Sequence, residues 1–395
     1  MYEKYETPCY IFNRDDFNKN VHMFKNSLNK YFKNKWILGY SFKTNFLPYI
    51  LKCAKENDCY AEVVSVKEYN LAKAIGFDKD KIIFNGPVKT KVQFLEAIKN
   101  GCIVNIDSKR ELSWLSELPK TNNYYVGIRV NFDLEAELPG HTLMGSEGGR
   151  FGFCDDNQEL IAAINSIREL GNIQIGFLHM HVSSKTKSED IYRHLVSRAC
   201  SIIDRENLEI KYIDVGGSFF GGGDDGTSYM KYMKAIKEEL DLHGKKEIGI
   251  IVEPGASVIA TSISYLVEVV DEKDTKQRHY VVTDGSRLHI DPFFTRHSYS
   301  YQIISDSSKC YDEQTIVGFT CMEKDRIMKI VGEKRLKVGN RILFNTVGSY
   351  TMCLNSDFIS SEPRVYVQHG EQCYLVRNEK TIASYFDNSI LEEIG

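Results

Sequence analysis

Lys43 lies in the run Gly39-Tyr40-Ser41-Phe42-Lys43-Thr44-Asn45, a single cation among apolar and hydroxyl side chains. Residues 36–41 read as a short buried strand, which places Lys43 where that strand ends. An amine sheltered from water there loses its proton easily and becomes a nucleophile able to form an imine. The plain alternative is a solvated lysine that ends a strand. Three later stretches offer complementary groups. His181, in His179-Met180-His181-Val182-Ser183-Ser184, has a flat ring that can stack on an aromatic cofactor, or it is an ordinary loop histidine. Gly216-Gly217, in Asp214-Val215-Gly216-Gly217-Ser218-Phe219, lets backbone N–H groups approach an anion, or makes a tight turn. Glu253, in Glu253-Pro254-Gly255, can hold a proton on a pyridine nitrogen, or pair with a lysine. An imine lysine, a stacking ring, a phosphate cradle and a carboxylate for a ring nitrogen are together the requirements of pyridoxal phosphate.

These groups need elements that bring them together. Residues 7–12 give a strand signal opened by a proline, and 13–28 show helical spacing behind the cap Asn13-Arg14-Asp15-Asp16. After the Lys43 strand, helix and strand alternate. Helices are expected at 48–57, 67–75, 91–99 and 109–115, and strands at 62–65, 81–84, 102–106, 126–130, 173–178, 208–215 and 248–252. About eight such units favour a closed (β/α)8 TIM barrel, α/β in class, over an open doubly wound sheet. In a barrel the functional groups gather where strands end, and Lys43, His181, Asp214 and Glu253 all follow expected strands. From residue 260 the helices disappear and short strands dominate, which predicts a separate antiparallel β-sandwich or β-barrel domain. The expected division is 13–259 for the barrel, and 1–12 plus 260–395 for the β domain.

Composition narrows the class. The 395 residues carry 42% hydrophobic and 26% charged side chains, the balance of an ordinary globular protein. A net charge of −4 gives no reason to expect nucleic acid or an anionic membrane as partner. No apolar run approaches the roughly 20 residues of a membrane span, and the first residues lack the order of a signal peptide. Ten cysteines without close pairs suggest reduced thiols in a cytoplasmic protein and argue against a zinc site, so no metal is expected.

The motifs resemble those of the fold-type III pyridoxal-phosphate enzymes, specifically the ornithine/diaminopimelate/arginine decarboxylase family, over 7–358. Tyr40 to Asn45 is similar to the family's Y-x-x-K-x-N, which implies that Lys43 forms the imine with the cofactor. Glu62-Val63-Val64-Ser65 through Glu68, and Ile82 to Lys89, resemble its next two strand ends. His181-Val182-Ser183-Ser184 is similar to H-x-G-S, implying that His181 stacks on the ring and Ser184 contacts phosphate. Asp214-Val215-Gly216-Gly217-Ser218 resembles D-x-G-G-G, and Glu253-Pro254-Gly255 resembles E-P-G-R. These imply phosphate contacts at Gly216, Gly217, Ser218 and Gly255, and a ring-nitrogen contact at Glu253. Cys321-Met322-Glu323-Lys324-Asp325 is similar to C-x-x-x-D, implying Cys321 as the general acid. Val347-Gly348-Ser349-Tyr350 resembles G-A-Y, implying a phosphate contact at Tyr350. The resemblance further implies an amino-acid substrate and a head-to-tail homodimer in which Cys321 and Tyr350 serve the partner's Lys43. An alanine racemase on the same barrel is expected to place an arginine at the ring nitrogen, so Glu253 favours decarboxylation.

The departures concern phosphate and substrate. Ala256 stands where the family has its arginine, with Arg287 or a backbone N–H as possible compensation. Ser183 and Ser218 replace glycines, and a seryl hydroxyl is expected to serve there. Met322 replaces the acid that usually meets a distal amine, and a thioether cannot do so; Glu323 is one position along. Arg150, Arg287, Arg296 and His297 then become candidates for reading a carboxylate or phosphate, unless they are solvated surface cations. The leading expectation is therefore an atypical amino acid or amino-acid conjugate from a biosynthetic pathway. A standard diaminopimelate, ornithine or lysine decarboxylase, or a non-catalytic cofactor-binding homologue, are the alternatives.

Overall fold

The structure, a computed structural model, describes residues 2–221, 226–355, 357–387 and 389. The chain divides into two compact units, Asn18–Val258 on the one hand and Met1–Phe17 with Ile259–Gly395 on the other. Strand β1 (Cys9–Asn13) belongs to the second. The first is built on β2 (Trp36–Ser41), β3 (Tyr60–Val63), β4 (Ile82–Phe84), β5 (Ile103–Ile106), β6 (Tyr124–Asn131), β7 (Phe153–Cys154), β8 (Ile173–His179), β9 (Tyr212–Asp214) and β10 (Gly249–Val252). Eight of these pair in parallel in the order β5-β4-β3-β2-β10-β9-β8-β6, and β5 pairs with β6. The barrel is closed. The two-residue β7 adds to the outside of β6 and was not visible in the sequence, being too short to show a period.

Helices return the chain between strands, and local signals start several of them. Pro48 opens Pro48–Glu56 with its fixed φ. Ser65 and Ser108 cap Val66–Ile75 and Lys109–Trp114 by accepting from the N–H groups of Glu68 and Glu111. Glu68 and Glu111 reach back to the N–H groups of Val64 and Asp107, both at 2.8 Å. These reciprocal S-x-x-E caps fix how the chain leaves β3 and β5. Ile37, Ile83, Ile103, Phe177 and Ile251, from five strands, form one apolar cluster. The barrel interior is thus a packed core, shared by adjacent and opposite strands.

The second unit adds β11 (Ile263–Asp274), β12 (His279–Thr283), β13 (Tyr301–Ile304), β14 (Glu313–Val317), β15 (Arg326–Val331), β16 (Arg341–Phe344), β17 (Arg364–His369) and β18 (Gln372–Arg377). They form a sheet with β1 in the order β15-β14-β12-β11-β1-β17-β18, while β16 joins β11 and β13. Most pairs are antiparallel as expected. Two are parallel, β1 with β17 and β12 with β14, so the sheet is mixed. Chain-distant strands need no hairpin between them, and alternation of side chains does not specify direction. Among the described residues no helix is long and apolar enough to cross a membrane.

Candidate active site

Lys43 sits on a single 3-10 turn, Phe42–Thr44, directly after β2. Phe42 and Thr44 are buried, while the lysine side chain is 38% exposed. Two contacts fix this turn: Thr44 Oγ1 donates to the Ser41 carbonyl at 2.7 Å, and the Ser41 N–H donates to the Pro254 carbonyl at 3.2 Å. Gly255 packs so closely on Thr44 that a Cβ there would lie 2.2 Å from its methyl group. The E-P-G loop after β10 therefore abuts the lysine turn.

The amine is 2.9 Å from Glu62 Oε2, and Ser41 Oγ donates to the same oxygen at 2.5 Å. Glu62 is 1% exposed, so a buried carboxylate at the end of β3 holds the lysine. Asn85 Nδ2 donates to Glu62 Oε1 at 3.0 Å and to Glu253 Oε1 at 2.6 Å. Asn105 Nδ2 donates to Asn85 Oδ1 at 2.8 Å and reaches Asp214 Oδ2 at 3.4 Å. Six strands, β2, β3, β4, β5, β9 and β10, thus supply one connected polar cluster. Burial and the neighbouring carboxyl push Glu253 well above the usual carboxylate range, and burial raises Asp214 to about 7. Two hydrogen-bonded acids of this kind hold one proton between them near neutrality.

His181 follows β8. Burial, then the cations Arg129 and Lys43, hold its imidazole well below its ordinary pKa, so the ring is neutral. Its Nδ1 accepts from the Gly217 N–H at 3.3 Å. Arg129, 8% exposed at the end of β6, donates to the His181 carbonyl at 3.4 Å and to Asp107 Oδ2 at 3.3 Å. Gly216 has φ +68, and a Cβ on it would fall 2.3 Å from the His181 ring. A Cβ on Gly217 would lie 2.6 Å from the Glu253 carbonyl. The glycine pair is thus required for close approach, and its two N–H groups are taken by Asp214 (2.9 Å) and His181. Ser218 adopts φ +71, the left-handed region that favours glycine. Ser184 Oγ accepts from the Lys187 N–H at 2.6 Å, which leaves its own proton available to an anion.

Cys321 and Tyr350 belong to the second unit. Cys321 is exposed in a turn beside Met322. Asp325 organises that turn, accepting from the Thr320 N–H and hydroxyl and from Ser286 Oγ and the Arg287 N–H. Glu323 is tied to Arg326 at 3.0 Å. The Arg287 guanidinium is engaged by Asp291 at 2.8 Å and by the Arg296 carbonyl at 2.7 Å. Arg150 is exposed and lies over the Phe151 ring, and His297 is exposed. Tyr350 has φ +55 and is 41% exposed.

Residues 14–260 match the family model for the pyridoxal-dependent decarboxylases, pyridoxal binding domain. The chain belongs to that family. Its curated relatives include a probable chloroplastic diaminopimelate decarboxylase of Oryza sativa subsp. japonica, 25% identical over 97% of this chain and 80% of the relative. The diaminopimelate decarboxylase of Bacillus subtilis is 25% identical over 95% and 90%. Among solved structures, a diaminopimelate decarboxylase from M. jannaschii aligns with a TM-score of 0.87 at 21% identity, covering 99% of this chain and 94% of that one. A Vibrio vulnificus lysine/ornithine decarboxylase complexed with putrescine aligns at 0.75 and 18% identity, over 93% and 96%. The expected barrel and β domain stand, as do pyridoxal phosphate as cofactor and amino-acid decarboxylation as the activity. The residues present fit that cofactor, with an amine at the barrel mouth, a buried acid pair below it, and a glycine turn that any side chain would fill.

Residue types at strand ends singled out Lys43, His181 and Glu253, which the fold gathers at one place, but gave no role to Glu62, Asn85, Asn105 or Arg129. Glu62 could have been found by asking which acid ends the strand next to that of Lys43.

Proposed function

We propose that this decarboxylase removes the α-carboxylate of a diamino acid of the diaminopimelate type. The relatives support that substrate class over the atypical one expected from Met322, since all those described above act on, or are named for, diamino acids. The observation that carries the chemistry is the Lys43–Glu62–Asn85–Glu253 chain, which joins an amine to a buried acid across the barrel mouth.

Bound pyridoxal phosphate supplies an aldehyde for an amine and a ring that takes up the electrons released with carbon dioxide. Lys43 would be the amine that holds the cofactor and, once product has formed, releases it. Glu62 keeps that amine at the mouth. Glu253, sharing a proton with Asp214, would hold a proton at the ring nitrogen, and neutral His181 would serve the ring face. Ser184, Ser218 and Gly255, and Tyr350 in trans, would contact the phosphate at the Gly216-Gly217 turn. Cys321 delivers a proton to the α-carbon as general acid, acting in trans within a homodimer.

A second reading, an amino acid without a distal ammonium, is favoured by Met322 and by the Glu323–Arg326 pair, which occupies the nearest acid. Carbon dioxide release from diaminopimelate, both ornithine enantiomers, lysine, arginine, glutamate and citryl-diaminopropionate decides between them. Turnover confined to the diamines supports the proposal. Turnover confined to glutamate or the conjugate overturns it in favour of the second reading.

A further inference from the structure

Three buried acids, Glu62, Asp214 and Glu253, meet in this barrel with few cations to offset them. Two neutral amides lie between them. Asn85, 3% exposed, follows β4, where its N–H continues the sheet by donating to the Val63 carbonyl at 2.8 Å. The next residue, Gly86, has φ +95, and a Cβ on it would lie 2.2 Å from the Val64 carbonyl. The backbone therefore fixes where Asn85 points. Its Nδ2 has two protons, and both are used, one on Glu62 and one on Glu253. The Asn105 bond to Oδ1 sets the amide orientation, since a flip would turn an oxygen toward two carboxyl groups.

We propose that Asn85 is a positioning residue of the decarboxylation site, whose one amide nitrogen holds the Glu253 and Glu62 carboxyl groups in register. The lysine end and the ring-nitrogen end of the cofactor site are then a single hydrogen-bonded unit. This rests on the reading that Glu253 serves the ring nitrogen. A donor to an acid favours its ionised form, so removing Asn85 leaves Glu253 harder to ionise. The other groups facing Glu253 are Asp214 on β9, Glu62 on β3, His179 on β8, Arg129 on β6 and Lys43 after β2. None of these is replaced in the test.

The experiment compares wild type, Asn85→Leu, Asn85→His and Glu253→Gln as cofactor-loaded enzymes. For Asn85→Leu the acid limb of kcat/KM moves up by about one pH unit, and turnover near neutrality falls about ten- to a hundredfold. The pH titration of the bound cofactor's absorbance moves the same way. The cofactor-free variant binds 4'-deoxypyridoxine phosphate, which has the ring nitrogen but no aldehyde, about tenfold more weakly. Asn85→His, which retains a donor, recovers most of each effect. If Asn85→Leu melts too low to assay, Asn85→Ala, which also lacks a donor, makes the same comparison. Wild-type limb, spectrum and analogue affinity in a variant lacking the amide would overturn the proposal and leave Asn85 a filler of space. Should Glu253→Gln itself change neither spectrum nor affinity, the assignment of Glu253 fails instead, so the two failures are distinct.

Discussion

Single residues here are held in states that cost stability. Ser218 occupies φ +71, where a Cβ crowds its own backbone, at about 1 kcal/mol. Ser218→Gly is expected to stabilise the cofactor-free protein by somewhat less than that, because glycine also loosens the unfolded chain. Urea unfolding measures this; a loss of stability would mean that the hydroxyl makes a compensating bond. The buried acid pair has a larger effect, and its sign follows from linkage. Asp214 is raised to about 7 in the folded chain, against an ordinary carboxylate value in the unfolded one. Below roughly pH 4 both states carry the proton; between there and about 7 only the folded state keeps it, so folding weakens as pH rises. Asp214→Asn retains a hydrogen-bond acceptor while removing one charge. Its stability relative to wild type is expected to improve by about 2 kcal/mol between about pH 5 and about pH 8, measured on cofactor-free protein. A gap that does not change with pH would show that the pair shares no proton.

Elements succeed or fail as positioning devices through their ends. The lysine turn is held by the loop after β10, through Ser41 N–H on the Pro254 carbonyl and through Gly255 against Thr44. Gly255→Ala should therefore displace Phe42–Thr44, weaken cofactor binding and lower activity at least tenfold, with a small change in melting temperature. Retained cofactor affinity in that variant would show that the loop yields instead. Such ends are also where the sequence was most and least informative. A lysine, a histidine and a glutamate after β strands were legible only as a set, since each alone has a plain structural reading while together they match what pyridoxal phosphate needs. Asn85 and Asn105 were not, since an amide at a strand end looks like any turn residue until its partners are known. The parallel pairings of β1 with β17 and of β12 with β14 were hidden for a related reason: period-two alternation gives the buried face but neither partner nor direction. Arg287 was one of two candidates, with a backbone N–H, to compensate for the arginine missing at Ala256, yet its guanidinium is engaged by Asp291 four residues on, a local pair that sequence spacing alone left undecided.

At the scale of the molecule, the residues proposed as general acid and as cofactor amine fall in different units of the chain. Lys43 is in Asn18–Val258, and Cys321 is in the unit formed by both chain ends. The family resemblance implies that they meet across a homodimer, each site taking Lys43 from one copy and Cys321 from the other. That arrangement has an arithmetic consequence that a site within one chain does not share. Lys43→Ala and Cys321→Ala each abolish or nearly abolish turnover alone. In a mixed dimer of the two, one site receives both defects and the other receives none. Random exchange of equal amounts places half the dimers in that mixed form, so about a quarter of wild-type activity should return on mixing after mild dissociation. Sites built within single chains would recover nothing, since every copy keeps its own defect. Sedimentation of the mixture, alongside assays taken as exchange proceeds, ties any recovered activity to the mixed species. Exchange between copies with no recovered activity would rule out the shared site, and the search for the general acid would return to the barrel unit.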